Sequence, residues 1–195
     1  NIEVANVSED VFHSFAAKSG PQGIAAVVRQ DWRDLENAGL DEGLWIALEN
    51  VQDPGNLGST LRSLDAAKGK GMVLLDHSTD AYHPTAVRAS MGAVFSQKFV
   101  KASTAELSDW KKHNPCTIIG TWCGIAQPYR SYNYPRNMIL LMGSEQKGLQ
   151  EEHLDICDQL VNIPMSGFVD SLNLANAASV VLFEIHAQHD KEESK

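Results

Sequence analysis

The apolar positions of this chain fall in short unbroken runs, with helix-spaced or polar stretches between them. Leu44–Leu48 (LWIAL), Met72–Leu75 (MVLL), Thr117–Trp122 and Met138–Met142 (MILLM) show no alternation, as expected of strands buried on both faces. Ile24–Val28 (IAAVV), Phe95–Val100 and Leu160–Ile163 predict further strands. Helical spacing joins Leu57, Leu61, Leu64 and Ala67, and Ser103–His113 is amphipathic with Ser103 as its cap. Gln150–Cys157 predicts another helix, and shorter ones are expected from Ser8, at Asp31–Asn37 and at Thr85–Ser90. Lys18–Gly23 is turn chemistry, and Gly124–Pro135 reads as a long loop. Strands alternating with helices imply an α/β fold, a mostly parallel sheet with helices on both faces and right-handed crossovers.

Three segments follow predicted strands, at the end of a parallel sheet where open α/β folds bind ligands. The first is Asn50–Arg62, NVQDPGNLGSTLR: a strand end, an Asp-Pro-Gly turn and a helix start. Six residues separate Asn56 from Arg62, so one helix points them to different sides, and Arg62 faces another part of the site or another subunit. A capped helix with a surface arginine explains the same residues. The second is Met142–Leu149, MGSEQKGL, with Gly143 and Gly148 bracketing a loop around Glu145. It lacks the Lys-Ser/Thr that completes a phosphate loop, and no G-x-G-x-x-G follows a strand elsewhere. The third is Val161–Ala175, VNIPMSGFVDSLNLA, which reads as strand, loop and helix N-terminus. Asp170 or Ser171 can cap that helix, placing Ser171 and Asn173 in its first turn, and the helix runs to about Gln188. Free N–H groups at such a junction favour a ligand, although a capped core helix is the plainer alternative.

Together these segments resemble the three signature motifs of the SpoU-type (TrmH-like) RNA ribose methyltransferases of the SPOUT superfamily. The matching stretches are NVQDPGNLGSTLR, ILLMGSEQKGL and VNIPMSGFVDSLNLANAASVVLFE, with VRASMGAVF between the first two, and the likeness spans roughly residues 22–188. It implies a C-terminal trefoil knot, S-adenosyl-L-methionine as cofactor, and methylation of a ribose 2′-hydroxyl of tRNA or rRNA by a homodimer. By motif match, Asn56, Arg62, Glu145, Ser171 and Asn173 are the catalytic set. Thr121, Gly143, Ile163, Met165 and Leu172 are implied to hold the cofactor through backbone and apolar contacts. Many relatives carry an N-terminal RNA-binding domain. Residues 1–23 are therefore expected to be a linker or the remnant of such a domain, 24–188 the methyltransferase domain, and 189–195 a disordered charged tail. A non-catalytic knotted RNA-binding or ribosome-assembly module is the alternative from another class, and a knotted base methyltransferase a second.

Composition modifies this picture in two places. The formal charge is -9, the wrong sign for a general nucleic-acid binder. The acidic residues gather at 31–49, 151–158 and in the tail, which leaves Arg62, Arg88, Lys98, Arg130, Arg136 and Lys147 to line one RNA-facing side. Three cysteines without a C-x-x-C pair suggest reduced thiols and a cytoplasmic setting. No apolar run is long enough to span a membrane, and the spacing of His113, Cys116 and Cys123 matches no common zinc pattern. Tyr129, Tyr132 and Tyr134 either stack on unpaired bases or cover the core.

Overall fold

The computed structural model describes residues 3–16, 23–124 and 126–193. The chain forms two compact units, Asn1–Gln30 and Asp31–Lys195. The first contains helix α1 (Glu9–Phe15), whose cap Ser8 accepts the Val11 N–H at 3.4 Å. The turn expected at 18–22 lies outside the described residues. No strand forms at Ile24–Val28, a correction to the sequence expectation. An apolar run becomes a strand only where a neighbour takes up its backbone groups, and five residues cannot specify one.

The second unit is built on an eight-stranded sheet among the described residues, ordered β1-β4-β3-β2-β7-β5-β8-β6, with every pair parallel. The strands are β1 (Trp32–Arg33), β2 (Leu44–Glu49), β3 (Gly71–Leu75), β4 (Lys98–Ala102), β5 (Thr117–Thr121), β6 (Gln127–Pro128), β7 (Met138–Met142) and β8 (Gln159–Asn162). Helices α2 (Leu35–Ala38), α3 (Pro54–Ala66), α4 (Pro84–Ala89), α5 (Thr104–His113), α6 (Glu151–Leu154) and α7 (Leu174–Glu193) complete it. β2, β3 and β7 are buried at every position. Their alternation separates two cores. Leu44, Ile46 and Leu48 pack with α3 and α7 on one face, while Trp45 and Ala47 pack with Leu107 and Trp110 of α5 and Ile156 on the other.

Several boundaries shift from those predicted. β4 begins at Lys98 because residues 93–95 wind into a 3-10 turn. α6 is a single turn, not the whole of 150–157. α7 begins at Leu174 and is capped by Asn173, so Asp170 and Ser171 lie in the preceding loop. α7 also continues past His189, where a disordered tail was expected. Lys68 Nζ donates to Asp190 Oδ1 at 3.1 Å, and Arg136 Nη2 donates to the His189 carbonyl at 3.0 Å. The tyrosine loop covers the core: Tyr129 and Tyr134 are buried, and Gln188 of α7 bonds the backbone of Tyr132 and Tyr134. No helix among the described residues is long and apolar enough to cross a membrane.

Candidate functional site

The strand ends decide the site. β2 and β7 are adjacent and parallel, so Glu49 and Met142 finish at one edge and the loops after them lie side by side. Asp53 Oδ1 accepts the Gly55 N–H at 2.7 Å and Pro54 takes the first helical position, which starts α3 immediately after β2. The loop after β7 closes on itself, with Gly148 N donating to the Ser144 carbonyl at 3.0 Å. A Cβ at Gly143 would lie 2.1 Å from the Gly148 carbonyl carbon, so only glycine permits this closure. The space at Gly58 is filled by α4. A Cβ there would meet the Ala86 carbonyl oxygen at 2.3 Å.

Three of the five predicted catalytic residues join in one directional chain. Asn173 Oδ1 accepts the Ala175 N–H at 3.0 Å as the cap of α7, which fixes the orientation of its amide. Its Nδ2 donates to Asn56 Oδ1 at 2.9 Å, and Asn56 Nδ2 donates to Glu145 Oε1 at 3.1 Å. One residue from each motif segment is thus linked. Ser171 stands outside this chain, its Oγ donating to Asp170 Oδ1 at 3.2 Å. Arg62 also stands outside. It is exposed, and six residues at about 100° each place it roughly 120° around α3 from Asn56. No other described residue hydrogen-bonds the Arg62 guanidinium.

A cleft of about 600 Å³ opens beside the chain, lined by Glu49, Asn50, Asp53, Asn56, Ser144, Glu145, Lys147 and Glu152 among others. Four carboxylates against one lysine make it hostile to phosphate and suited to hydroxyl or amide groups. The predicted basic face is not assembled either. Lys98 and Arg136 sit where β4 and β7 begin, at the opposite edge of the sheet, and are engaged with the Ala38 carbonyl and with His189 and Glu192 respectively. Lys147 alone of the six lines the cleft.

Of the predicted cofactor residues, Thr121 ends β5 with its hydroxyl 3.2 Å from Met142 Sδ. Ile163 and Met165 are half-buried, and Leu172 is exposed beside the exposed Phe168 and Val169. Asn162 Oδ1, one residue before Ile163, is buried without a partner. Ile163 packs against the first core, while Met165 and Leu172 belong to neither core; these apolar side chains, an orphaned acceptor and a nearby hydroxyl fit a ligand that is part nucleoside and part amino acid.

Sequence reasoning missed Glu49, Asn50 and Gln150, which line the cleft and hold its loops. The signal was available: a carboxylate directly after five apolar residues continues the strand's alternation into the core. Glu49 is 3% exposed, accepts the Ser144 N–H at 2.9 Å and takes a second bond from Asn50 Nδ2. Cys116 and Cys157 are not nucleophile candidates at neutral pH. Burial pushes the Cys116 thiol up to about 11 and the Cys157 thiol to about 12, so neither forms appreciable thiolate.

Known proteins resemble this chain in sequence and in fold. The profile of the SpoU rRNA methylase family matches residues 43–183. The chain is 34% identical over 171 residues to the 23S rRNA (uridine(2479)-2′-O)-methyltransferase of Streptomyces viridochromogenes. That alignment covers 84% of this chain but 60% of the relative, so the chain spans less than two thirds of its length. A 23S rRNA (guanosine-2′-O-)-methyltransferase of Acinetobacter baylyi is 33% identical, over 94% of this chain and 77% of that protein. The AdoMet-bound rRNA methyltransferase of Sinorhizobium meliloti superposes with a TM-score of 0.88 at 33% identity, over 92% of this chain and 70% of that one.

Proposed function

The chain belongs to the SpoU rRNA methylase family, and from that premise we propose that it transfers a methyl group from S-adenosyl-L-methionine to a ribose 2′-hydroxyl of RNA. The observation that carries this reading is the Asn173–Asn56–Glu145 chain, which ties the three motif segments together beside a cleft suited to hydroxyl groups. It favours catalysis over a knotted scaffold, because a scaffold has no use for three polar side chains, two exposed and one half-buried, held in one orientation.

Thr121, Gly143, Ile163, Met165 and Leu172 would hold the cofactor, with the orphaned Asn162 oxygen available to a donor on it. When bound, the cofactor supplies an electrophilic methyl on a positively charged sulfur. The protein's task is alignment and handling of the hydroxyl proton. Glu145 fixes the Asn56 amide, and Asn56 with Asn173 orients the ribose. Arg62 is a poor base, since a guanidinium stays charged and has no acceptor. Its fork suits a flanking phosphate instead, outside the acidic cleft. The phosphate, a water or Ser171 would take the ribose proton, and Ser171 would then pass its own proton to the Asp170 carboxylate that it already bonds.

The proposal extends to a homodimer in which Arg62 serves the partner's cleft, to a knot formed as the chain passes through 163–173, and to a cytoplasmic setting with tRNA or rRNA as substrate. Titration calorimetry of this chain with S-adenosylhomocysteine tests the cofactor, and nuclease digestion of methylated RNA tests the position. Saturable binding and a 2′-O-methyl nucleoside are expected. A folded dimer that binds no S-adenosylhomocysteine, or a product methylated on the base, overturns the reading.

A further inference from the structure

The cleft loop after β7 is held at both ends by buried titratable side chains that no motif names. At its start, Ser144 N donates to Glu49 Oε2 at 2.9 Å. At its end, Gln150 N donates to His153 Nδ1 at 3.1 Å. His153 is 1% exposed and completes a capping box with Gln150 at the start of α6, in the place where glutamate or glutamine is usual.

The other face of the imidazole is also specified. His153 Nε2 lies 3.1 Å from Thr104 Oγ1, and that hydroxyl donates to Asp76 Oδ2 at 2.6 Å. Asp76 also accepts the Thr104 N–H at 3.1 Å, so the first residue of α5 is fixed by both atoms. The Gln150 N–H can only donate, so Nδ1 must accept. Nε2 then carries the proton and donates to Thr104, whose own proton is committed to Asp76. The relay runs one way, from the loop to the end of β3. Glu49, Asp76 and His153 present ligand atoms within 4.8 Å of one another, but both ring nitrogens are occupied and no lone pair remains for a cation.

We propose that His153 is a positioning residue for the Glu145 loop, and that Thr104 and Asp76 select the tautomer that lets it accept from Gln150. The loop must be held closed for Gly143 to meet the cofactor and for Glu145 to reach Asn56. If the anchor is lost, only a fraction of molecules keep the loop in place, and apparent affinity falls by that fraction. This inference rests on the cofactor reading above, so its test needs one readout independent of cofactor.

The test compares His153→Phe, His153→Asn and Thr104→Val in the full chain. Asparagine keeps an acceptor near the Nδ1 position; phenylalanine keeps shape and removes both bonds. Hydrogen exchange over residues 144–150, without ligand, should quicken about tenfold in His153→Phe and Thr104→Val and return towards wild type in His153→Asn. S-adenosylhomocysteine affinity should follow the same order, about tenfold weaker in His153→Phe and within about threefold in His153→Asn. If His153→Asn is no better than His153→Phe, or exchange in the loop is unchanged in all three variants, the positioning role is wrong. If wild type binds no S-adenosylhomocysteine while the exchange pattern holds, the cofactor reading fails and the latch stands.

Discussion

Single atoms decide whether the cleft can exist. Gly143 lies at the mouth of the loop after β7, and an added Cβ would sit 2.1 Å from the Gly148 carbonyl carbon and 2.2 Å from the Leu149 nitrogen. Both neighbours are backbone of the same loop, so nothing flexible can give way. Gly143→Ala must therefore move the loop that carries Glu145, while β7 below it stays in the sheet. The expected outcome is loss of most S-adenosylhomocysteine affinity, at least about tenfold, with a fall in Tm of only a few degrees. Calorimetry beside thermal unfolding checks it. Unchanged affinity would mean that the loop does not contact the cofactor. Residue identity was legible here, since glycines bracketing a loop after an apolar strand point to tight backbone. The partnership was not. Asn56 meets Glu145 across 89 positions and Asn173 across 117, and only the order of strands brings them together.

Elements show the same division. The interior strands were readable because β2, β3 and β7 are buried on both faces, and continuous apolar runs have few other homes. The two-residue strands β1 and β6 were not readable, since pairing at a sheet edge is decided by the neighbour and not by local pattern. The start of α7 was misplaced for a different reason. Asp170, Ser171 and Asn173 are all good caps, and the choice fell to Asn173, whose side chain both caps the helix and reaches Asn56. Helix packing supplies a sharper test at Gly58. Replacing a helical glycine with alanine ordinarily stabilises by about 1 kcal/mol. Here the new methyl would lie 2.3 Å from the Ala86 carbonyl oxygen and 2.7 Å from the Ala89 Cβ. Parting α3 from α4 costs about 1–3 kcal/mol or more, which outweighs the propensity gain. Gly58→Ala should lower Tm by roughly 2–8 °C. A rise in Tm would mean that α3 and α4 do not pack this closely.

At the scale of the whole molecule the question is where Arg62 acts. The cleft is acidic, and Arg62 lies away from it around α3, exposed. Either Arg62 plays no part, or it serves a cleft other than its own. A two-fold dimer permits the second, because a residue leaving one site on its own subunit enters the equivalent site of the partner. Two variants separate the cases. Asn56→Ala and Arg62→Ala homodimers should each be inactive in methyl transfer if both residues are needed. In a mixed dimer with shared sites, one cleft receives both defects and the other receives neither. Equal mixing with full subunit exchange makes half the dimers mixed, so about one quarter of wild-type activity should return. If each cleft uses its own Arg62, every cleft in the mixture carries one defect and no activity returns. An Arg62→Ala homodimer as active as wild type would remove the residue from the mechanism altogether. Salt dependence gives the companion measurement. An arginine that holds a phosphate contributes about one unit to the slope of log affinity against log salt, so Arg62→Ala should flatten that slope by about one and weaken RNA binding across sequences. With Lys98 and Arg136 tied up at the far edge of the sheet, neither is free to compensate for that loss.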